Sequence, residues 1–444
     1  MDETLDDLRA SNHDFQVLSK QNLESDSTRA RRLTEAPINT NLEVEKYRVI
    51  GQASQQLYEA LGRACTKHTE HQAHFCVEVE QAIIDGNRGA QVKFNMAFTH
   101  VSLAESADHG ELTWFVVDSV TGDALTLGHF EKPSNIDFEL ERSLKRQILD
   151  PPLQPTKSRK SSRVQSFEPQ RALMSALPAV PTNPLYSDYV RKDFCDLIKR
   201  RLRQPSLQSK CVAVLENTDR SKNFVYSPVN VTCTKRGRAV SLEQLIKKMN
   251  GQGVSGRLPL YERLRLAKTL AVAVLQFHST PWLRTCWRSE DVYFFADEVV
   301  VLQEPPVLTS PHLNVRVRGP NGHISQSSKF PPNTLARNPL LFSLGVVLLE
   351  IAYSSTLESL QRTNDLDKSR ETLYTEFFVA RKLATSGRSD MGGSYHKIVE
   401  RLVECDFGCG NDLSDLQLQL ALYKDVICPL ERLEQKLHAF HFNA

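Results

Sequence analysis

Five possible zinc ligands lie within the stretch CTKHTEHQAHFC, namely Cys65, His68, His71, His74 and Cys76. Cysteine thiolates and histidine imidazoles are the usual donors to zinc, and residues three apart share one face of a helix. Zinc motifs normally pair ligands from two separated segments, however, and the sequence shows no second pair of histidines or cysteines with such spacing. The alternative is the end of a helix whose histidines face water or the core, followed by the strand FCVEVE. A zinc-organised binding module around Cys65–Cys76 therefore stands as an alternative function.

One glycine-rich stretch matches a phosphate-binding motif in spelling but not in context. Gly251–Gly256, GQGVSG, has the G-x-G-x-x-G spacing that cradles phosphates. That motif needs a strand immediately before it. Here the helix-forming stretch SLEQLIKKMN comes first, so we interpret the glycines as a connection between helices.

The charge of the chain is nearly balanced, with 55 Lys and Arg against 53 Asp and Glu in 444 residues. Such a balance provides no field that would attract nucleic acid or an anionic membrane surface. The longest apolar run, Pro339–Leu349, is far shorter than the ~20 residues that cross a bilayer. The acidic start MDETLDDL lacks the basic residues and apolar core of a signal peptide. We therefore predict a cytoplasmic protein without a membrane span, without nucleic-acid binding and with mostly reduced cysteines.

The predicted helices carry clear apolar stripes. A helix over 43–64 and an amphipathic helix over 186–203 each bury one face. A central buried helix is predicted from the inward-facing residues Leu264, Ala267, Ala271, Val274, Leu275 and His278. Ser241 with Gln244 has capping-box spacing, and Asn338 is a typical N-cap for the apolar helix that follows. Further helices are predicted over 369–383, 395–405 and 413–438, the last with a break near Pro429.

Strands are predicted on both sides of a linker. QVKFNMAFTHVSLAE and ELTWFVVDSVTG precede it, and CVAVLEN and KNFVYSP follow the amphipathic helix. Residues 131–185 are rich in proline, serine and basic residues, which is typical of a disordered linker. Ser161 and Ser162 lie beside arginines in this linker and are candidate phosphorylation sites, with an unmodified charged segment as the alternative.

After the central helix come a loop with two tryptophans and two short apolar runs, Val292–Phe295 and Val299–Leu302, which predict a hairpin. Helix, loop and hairpin in this order resemble the large lobe of protein kinases. The stretch LQFHSTPWL, with the W, D and hairpin that follow it, is most similar to a kinase-like domain of unknown function in fungal proteins. That family often follows a helical domain of the HeLo or prion-inhibition type. The resemblance implies a two-lobed α+β fold with a degenerate small lobe and a mainly helical large lobe.

The resemblance also implies that the catalytic groups are missing. Active kinases place a catalytic aspartate, a metal-binding asparagine and a second metal-binding aspartate around this loop. The position of their His-Arg-Asp motif holds Arg284, Thr285 and Cys286. Asp291 takes the place of the asparagine, and Gln-Glu-Pro at 303–305 replaces Asp-Phe-Gly. The segment 305–337, rich in proline, serine and asparagine, would then be a degenerate activation segment. Both the base and the second metal-binding aspartate are absent from this alignment.

Other residues only partly imitate a kinase site. Lys93 in QVKF is the nearest match to the kinase strand lysine, but no glycine triplet precedes it, so we interpret it as an ordinary strand residue. Leu340 replaces the aspartate that braces a kinase catalytic loop. The tripeptide Asp406-Phe407-Gly408 spells the metal motif, yet it lies more than sixty residues beyond Pro339, which we attribute to coincidence. No catalytic, cofactor-binding or metal-binding residue is therefore assigned.

The predicted organisation is a flexible tail over 1–42, a helix and small-lobe strands over 43–130, the linker over 131–185, the rest of the small lobe over 186–240 and the large lobe over 241–444. The predicted function is that of a catalytically inactive, kinase-like signalling or scaffold module with protein partners and no cofactor. The alternative is an atypical nucleotide-dependent phosphotransferase that uses Asp291 and Asp297. Aspartates next to a strand more often cap turns, which favours the inactive protein.

Overall fold

The computed structural model describes residues 38–65, 70–85, 89–99, 112–121, 194–196, 211–217, 221–227, 239–251, 257–295, 310–318, 335–363 and 373–442. All of these residues belong to one compact unit. Several predictions fall outside the described residues, and these concern the tail over 1–37, His68, the linker with Ser161 and Ser162, the run Val299–Leu302 with Asp297, and residues 303–305.

Nine strands in the described part of the chain form one antiparallel sheet. The first six strands are β1 (Glu70–Cys76), β2 (Gln81–Asp85), β3 (Gly89–Thr99), β4 (Leu112–Thr121), β5 (Cys211–Glu216) and β6 (Lys222–Tyr226). The last three are β7 (Ala239–Ser241), β8 (Val292–Phe295) and β9 (His312–Arg318). Across the sheet the order is β5-β6-β4-β3-β1-β9-β8-β7, and β2 pairs with β3.

Five of these strands lie where the sequence predicted them, including β8, which has the bounds of the predicted run Val292–Phe295. β3 and β4 form a long antiparallel pair from Ala90↔Thr121 to Thr99↔Leu112. β5 and β6 pair with each other, and β6 joins them to β4. Alternating residues of β3 are buried on one face, which is the period-two pattern that predicted the strand.

The structure corrects the prediction for β1. The predicted strand FCVEVE begins at Phe75, whereas the observed strand runs from Glu70 to Cys76 and includes His71 and His74. The helical spacing that we applied to these histidines is therefore wrong. Successive side chains of a strand point to opposite faces, so residues three apart lie on opposite sides of the sheet.

The helices are α1 (Ile38–Ala64), α2 (Leu242–Gly251), α3 (Leu260–Phe277), α4 (Pro339–Tyr353), α5 (Leu357–Thr363), α6 (Leu373–Ser386), α7 (Gly393–Glu404), α8 (Leu416–Leu422) and α9 (Cys428–Phe442). A π-helical turn over Tyr423–Ile427 joins α8 to α9. The short helix α5 was not predicted. None of the described helices is both long enough and apolar enough to cross a membrane.

Both predicted helix starts are confirmed. At α2 the Ser241 hydroxyl accepts a hydrogen bond from the Gln244 amide at 3.2 Å, and the Gln244 side chain accepts one from the Ser241 amide at 3.1 Å. At α4 the side-chain oxygen of Asn338 accepts a hydrogen bond from the Leu341 amide at 3.0 Å. These local signals were readable because a cap involves residues only three positions apart.

Helix α1 packs against both the sheet and α3. It begins at Ile38, within the segment predicted as a tail, and its residues Ala53 and Leu57 are fully buried as its stripe predicted. A Cβ atom on Gly51 would lie 2.5 Å from the carbonyl oxygen of Gln276 in α3. Glycine at position 51 therefore allows the backbones of the two helices to approach each other closely.

Strand β9 is the main unexpected element. It lies inside the segment 305–337, which was predicted as a degenerate activation segment, and it pairs with β1 from Glu70↔Arg318 to Cys76↔His312. On its other side it pairs with β8, which in turn pairs with β7. The sheet is therefore continuous from the strands predicted for a small lobe to the strand that follows the α3 loop.

Candidate functional site

The loop after α3 is held against α1 and β1. The hydroxyl of Thr280 donates to the carbonyl of Phe277 at 2.9 Å, which closes the end of the helix. Trp282 is 1% exposed, and its indole N–H donates to the carbonyl of Ser54 in α1 at 2.7 Å. Its ring also stacks on Phe75 of β1. The first half of the loop is thus anchored in the core.

Arg288 fixes the second half of the loop to the helices α4 and α6. Its guanidinium donates to the hydroxyl of Ser343 in α4 at 2.9 Å and to the carboxylate of Glu376 in α6 at 2.8 Å. Arg288 thus connects the loop to two helices, and Leu340, the second residue of α4, is buried. The sequence analysis did not single out Arg288, because both of its partners are distant in the chain.

Asp291 caps a turn. It is the last residue of the 3₁₀ turn Ser289–Asp291, and its Oδ2 atom accepts a hydrogen bond from the backbone N–H of Arg288 at 3.0 Å. Its other oxygen, Oδ1, lies 3.5 Å from the guanidinium of Arg284. Burial raises the pKa of the Asp291 carboxyl above its ordinary value, against the opposing effect of these partners. This is the turn-capping role that the sequence offered as the alternative to cation binding.

A buried glutamate lies beside this turn. Glu350 of α4 is 6% exposed, and its Oε1 atom accepts a hydrogen bond from the Leu357 amide at 2.9 Å. Burial raises the pKa of Glu350 to about 7, although the backbone amide, the Ser289 hydroxyl and nearby Arg288 act in the opposite direction. Sequence reasoning missed this residue. The signal was present, because Glu350 is the one acidic residue in the apolar stretch LLFSLGVVLLEIAY.

Lys93 and the tripeptide Asp406-Phe407-Gly408, which partly match kinase motifs in sequence, both make contacts of an ordinary structural kind. Lys93 lies in β3, where its ammonium group is 3.7 Å from the carboxylate of Glu80. Asp406-Phe407-Gly408 directly follows the C-cap residue Cys405 of helix α7. The Asp406 amide donates to the carbonyl of Arg401 at 3.0 Å, and Phe407 is fully buried. This hydrogen bond is typical of a helix C-terminus.

The thiol of Cys405, which precedes this tripeptide, is buried. Burial raises the pKa of Cys405 to about 11. A thiol with so high a pKa remains protonated near neutral pH, and the thiolate is the reactive form.

The structure brings together only part of the predicted zinc cluster. Cys65 follows α1 and His71 lies in β1, and both meet Cys195 of the helical stretch 194–196. The Sγ atoms of Cys65 and Cys195 are 3.4 Å apart, and Cys195 Sγ lies 3.5 Å from His71 Nε2. His74 and Cys76 alternate to the opposite face of β1, and His68 lies outside the described residues. Cys195 was missed because it is 130 residues from Cys65.

His74 is surrounded by aromatic rings. Its imidazole centroid lies 5.1 Å from that of Phe295 and 5.5 Å from that of Tyr293, both in β8. The side chain is 3% exposed, and burial lowers its pKa to about 4. Nδ1 has no hydrogen-bond partner within the described part of the chain. His74 is therefore a neutral core histidine, as the alternative in the sequence analysis proposed.

The chain is a mixed α/β protein with one antiparallel sheet and many helices. The loop after α3 contacts α1, β1, α4 and α6. A family described as a domain of unknown function, DUF7580, matches residues 160–436, and the chain belongs to this family. Helix α1 and strands β1 to β4 precede the matched residues, although β4 and β1 pair with strands inside them. No curated protein matches the chain.

Solved kinase structures show a weak similarity to the chain. Vaccinia related kinase 3 is 14% identical with a TM-score of 0.24, and the alignment covers 80% of this chain and 93% of that chain. The PknI kinase domain of Mycobacterium tuberculosis is 9% identical with a TM-score of 0.24, and the alignment covers 78% of this chain and 95% of that chain. A similarity this weak does not indicate a function for this chain.

Proposed function

We propose that this chain is a kinase-like protein without phosphotransfer activity, which acts through its surface as a signalling or scaffold module with protein partners. The order of α3, its loop, β8 and the apolar helix α4 supports the kinase-like assignment, since it is the order on which the sequence resemblance rests. By the same resemblance we propose a fungal, cytoplasmic setting and a relation to proteins with HeLo or prion-inhibition domains.

The observation that carries this proposal is the state of Asp291. A carboxylate that binds a catalytic metal must offer its oxygens to the ion. In Asp291, one oxygen accepts the Arg288 amide at 3.0 Å and the other faces the Arg284 guanidinium at 3.5 Å. A divalent cation would compete with these contacts and would be repelled by the positive charge of Arg284. We therefore assign Asp291 to the stability of the loop and not to phosphotransfer.

The continuous sheet also argues against a kinase nucleotide site. β9 connects β1 to β8 by backbone pairing, so the strands predicted for a small lobe and the strand after the α3 loop belong to one sheet, whereas a two-lobed kinase binds nucleotide in a cleft between its lobes. A depression lined by residues that include Glu78, Arg265 and Phe294 has a cavity volume of about 10 Å³. A cavity of ~10–15 Å³ holds about one water molecule, so this depression is far too small for a nucleotide.

Thermal unfolding with nucleotides tests the proposal. ATP or GTP, each with Mg²⁺ or Mn²⁺, should leave the melting temperature unchanged. A nucleotide at a hundred times its dissociation constant would stabilise the folded state by ~2.7 kcal/mol, which is easily measured. A magnesium-dependent increase that is lost in Asp291→Asn would instead support the alternative phosphotransferase with Asp291 and Asp297.

The scaffold part of the proposal needs a separate experiment. When native extracts are separated by size-exclusion chromatography, the tagged chain should elute together with a protein partner in stoichiometric amount. Cross-linking of those fractions should then join the two chains. A chain that elutes alone as a monomer under these conditions would contradict a scaffold role, whatever the result with nucleotides.

A further inference from the structure

Three donor atoms from distant parts of the chain meet beside the end of α1. Cys65 is the first residue after α1, His71 is the second residue of β1, and Cys195 follows Phe194 in the stretch 194–196. The Sγ atoms of the cysteines and the imidazole nitrogen of His71 all lie within 4.8 Å of one another. The sequence hypothesis of zinc contained the first two residues but not the third.

The separations match those between ligands of one zinc ion. With Zn–S bonds of ~2.3 Å and Zn–N bonds of ~2.0 Å in a tetrahedron, two sulfurs are ~3.8 Å apart and a sulfur and a nitrogen ~3.6 Å apart. The observed distances are 3.4 Å for Cys65 Sγ to Cys195 Sγ and 3.5 Å for Cys195 Sγ to His71 Nε2. A disulfide would instead require ~2.05 Å between the sulfurs.

Neighbouring contacts hold the donors in place. The ring of Phe194 packs against Phe98 and Phe115, with centroids 5.8 and 6.1 Å apart, which positions the adjacent Cys195. The imidazole of His71 packs edge-on against the same Phe98 at 6.3 Å. A metal site gains affinity when its ligands are already oriented by the surrounding packing. The phenyl ring of Phe98 thus orients two of the three donors.

The chemistry of the donors selects zinc among the common divalent metals. Thiolate and imidazole ligands favour zinc over magnesium and calcium, which prefer oxygen. Cys65 and Cys195 are both buried, and two thiolates would offset the charge of the divalent ion in a site with little water. His71 is half-buried, so the three donors lie near the surface of the protein.

We propose that Cys65, His71 and Cys195 bind one zinc ion, with water or another donor in the fourth position. The ion connects the end of α1 and the start of β1 to residues 194–196, which lie 124 to 130 positions further along the chain. Its role is structural, because it attaches a segment that is distant in sequence to the sheet. The site does not depend on the proposed function, since neither nucleotide nor partner contributes to it.

Metal analysis of the purified full chain tests the site. Protein prepared under reducing conditions without chelators should contain one zinc per chain by mass spectrometry. Cobalt substitution should give the thiolate-to-cobalt absorption of a tetrahedral site. A strong chelator should lower the melting temperature, and added zinc should restore it. Protein free of metal after zinc incubation, or an intact mass that shows a Cys65–Cys195 disulfide, would overturn the proposal.

Matched variants assign the ligands. Cys195→Ser and His71→Ala should each lose zinc and the cobalt absorption. Cys286→Ser, which removes a half-buried thiol of the α3 loop, and His74→Phe should keep both. Retention of zinc by Cys195→Ser, or its loss in His74→Phe with folding intact by circular dichroism, would contradict this ligand set. Because the zinc content of the unmodified chain is measured directly, a variant that fails to fold leaves the test intact.

Discussion

The indole of Trp282 lies almost parallel to the phenyl ring of Phe75, with ring centroids 4.2 Å apart and an angle of 16° between the planes. This contact joins the loop after α3 to the middle of the sheet. The same indole donates its N–H to Ser54 of α1, so one side chain connects three elements. These contacts attach the loop to the sheet and to α1.

Trp282→Phe should destabilise the protein more than Trp287→Phe. Both tryptophans are 1% exposed, so both substitutions remove similar buried volume. Only Trp282 also loses a hydrogen bond, since the indole N–H of Trp287 has no partner among the residues that the structure describes. The difference between the two free energies of unfolding should be about 1 kcal/mol. Equal losses in urea denaturation would show that the bond to Ser54 contributes nothing.

Gly51→Ala should lower the free energy of unfolding by about 1–3 kcal/mol, because the new methyl group would overlap with the backbone of α3. The added Cβ would lie 2.5 Å from the Gln276 carbonyl oxygen. Gly393→Ala is the control, since its Cβ meets nothing within 4 Å in the described structure. That change should be neutral or slightly stabilising. A neutral Gly51→Ala would mean that α1 and α3 are further apart than described.

Glu350→Gln should change how stability depends on pH. The folded protein holds the Glu350 pKa at about 7, above its ordinary value of 4.5. The stabilising contribution of a raised carboxyl pKa is complete below pH 4.5 and is lost as pH rises to 7. This loss amounts to about 3 kcal/mol at most, and glutamine removes it. Denaturation between pH 4.5 and 7.5 should therefore give a more positive slope for the variant than for the unmodified protein.

His74→Phe should also change how the free energy of unfolding depends on pH, but with the opposite sign. Its slope against pH should be less positive than that of the unmodified protein. Burial holds the His74 pKa at about 4 in the folded protein, below its ordinary value of 6.5. Below pH 6.5 the unfolded chain binds a proton that the folded protein does not, so stability falls as pH decreases towards 4. The loss is again about 3 kcal/mol at most, and phenylalanine abolishes it. An unchanged slope would show that water reaches His74 in the folded protein.

Patterns within a few neighbouring residues predicted most of the helices and several strands. Contacts between segments that are distant in sequence could not be predicted from such patterns. The caps at Ser241 and Asn338 and the buried face of α3 depend on neighbours within one or two turns, and all three are observed. Strand β9 was missed although Leu313 and Val317 alternate with polar residues, because the comparison with kinases assigned that segment to an activation loop.

The same distinction between local and distant contacts applies to the candidate sites. The turn-capping role of Asp291 was offered from its position before a strand, and the structure shows it. The histidines were placed on a helix because their three-residue spacing was given more weight than the strand residues around them. Cys195 could not be paired with Cys65 from the sequence, since only the folded chain brings the two together.

The pairing of β1 with β9 has a consequence for synthesis of the protein on the ribosome. Glu70 emerges long before Arg318, its partner in the finished sheet. Until the later segment is made, one edge of β1 lacks its neighbour, and unpaired strand edges promote association between chains. Fragments that stop before residue 312 should aggregate, and the nascent chain would depend on chaperones until β9 is translated.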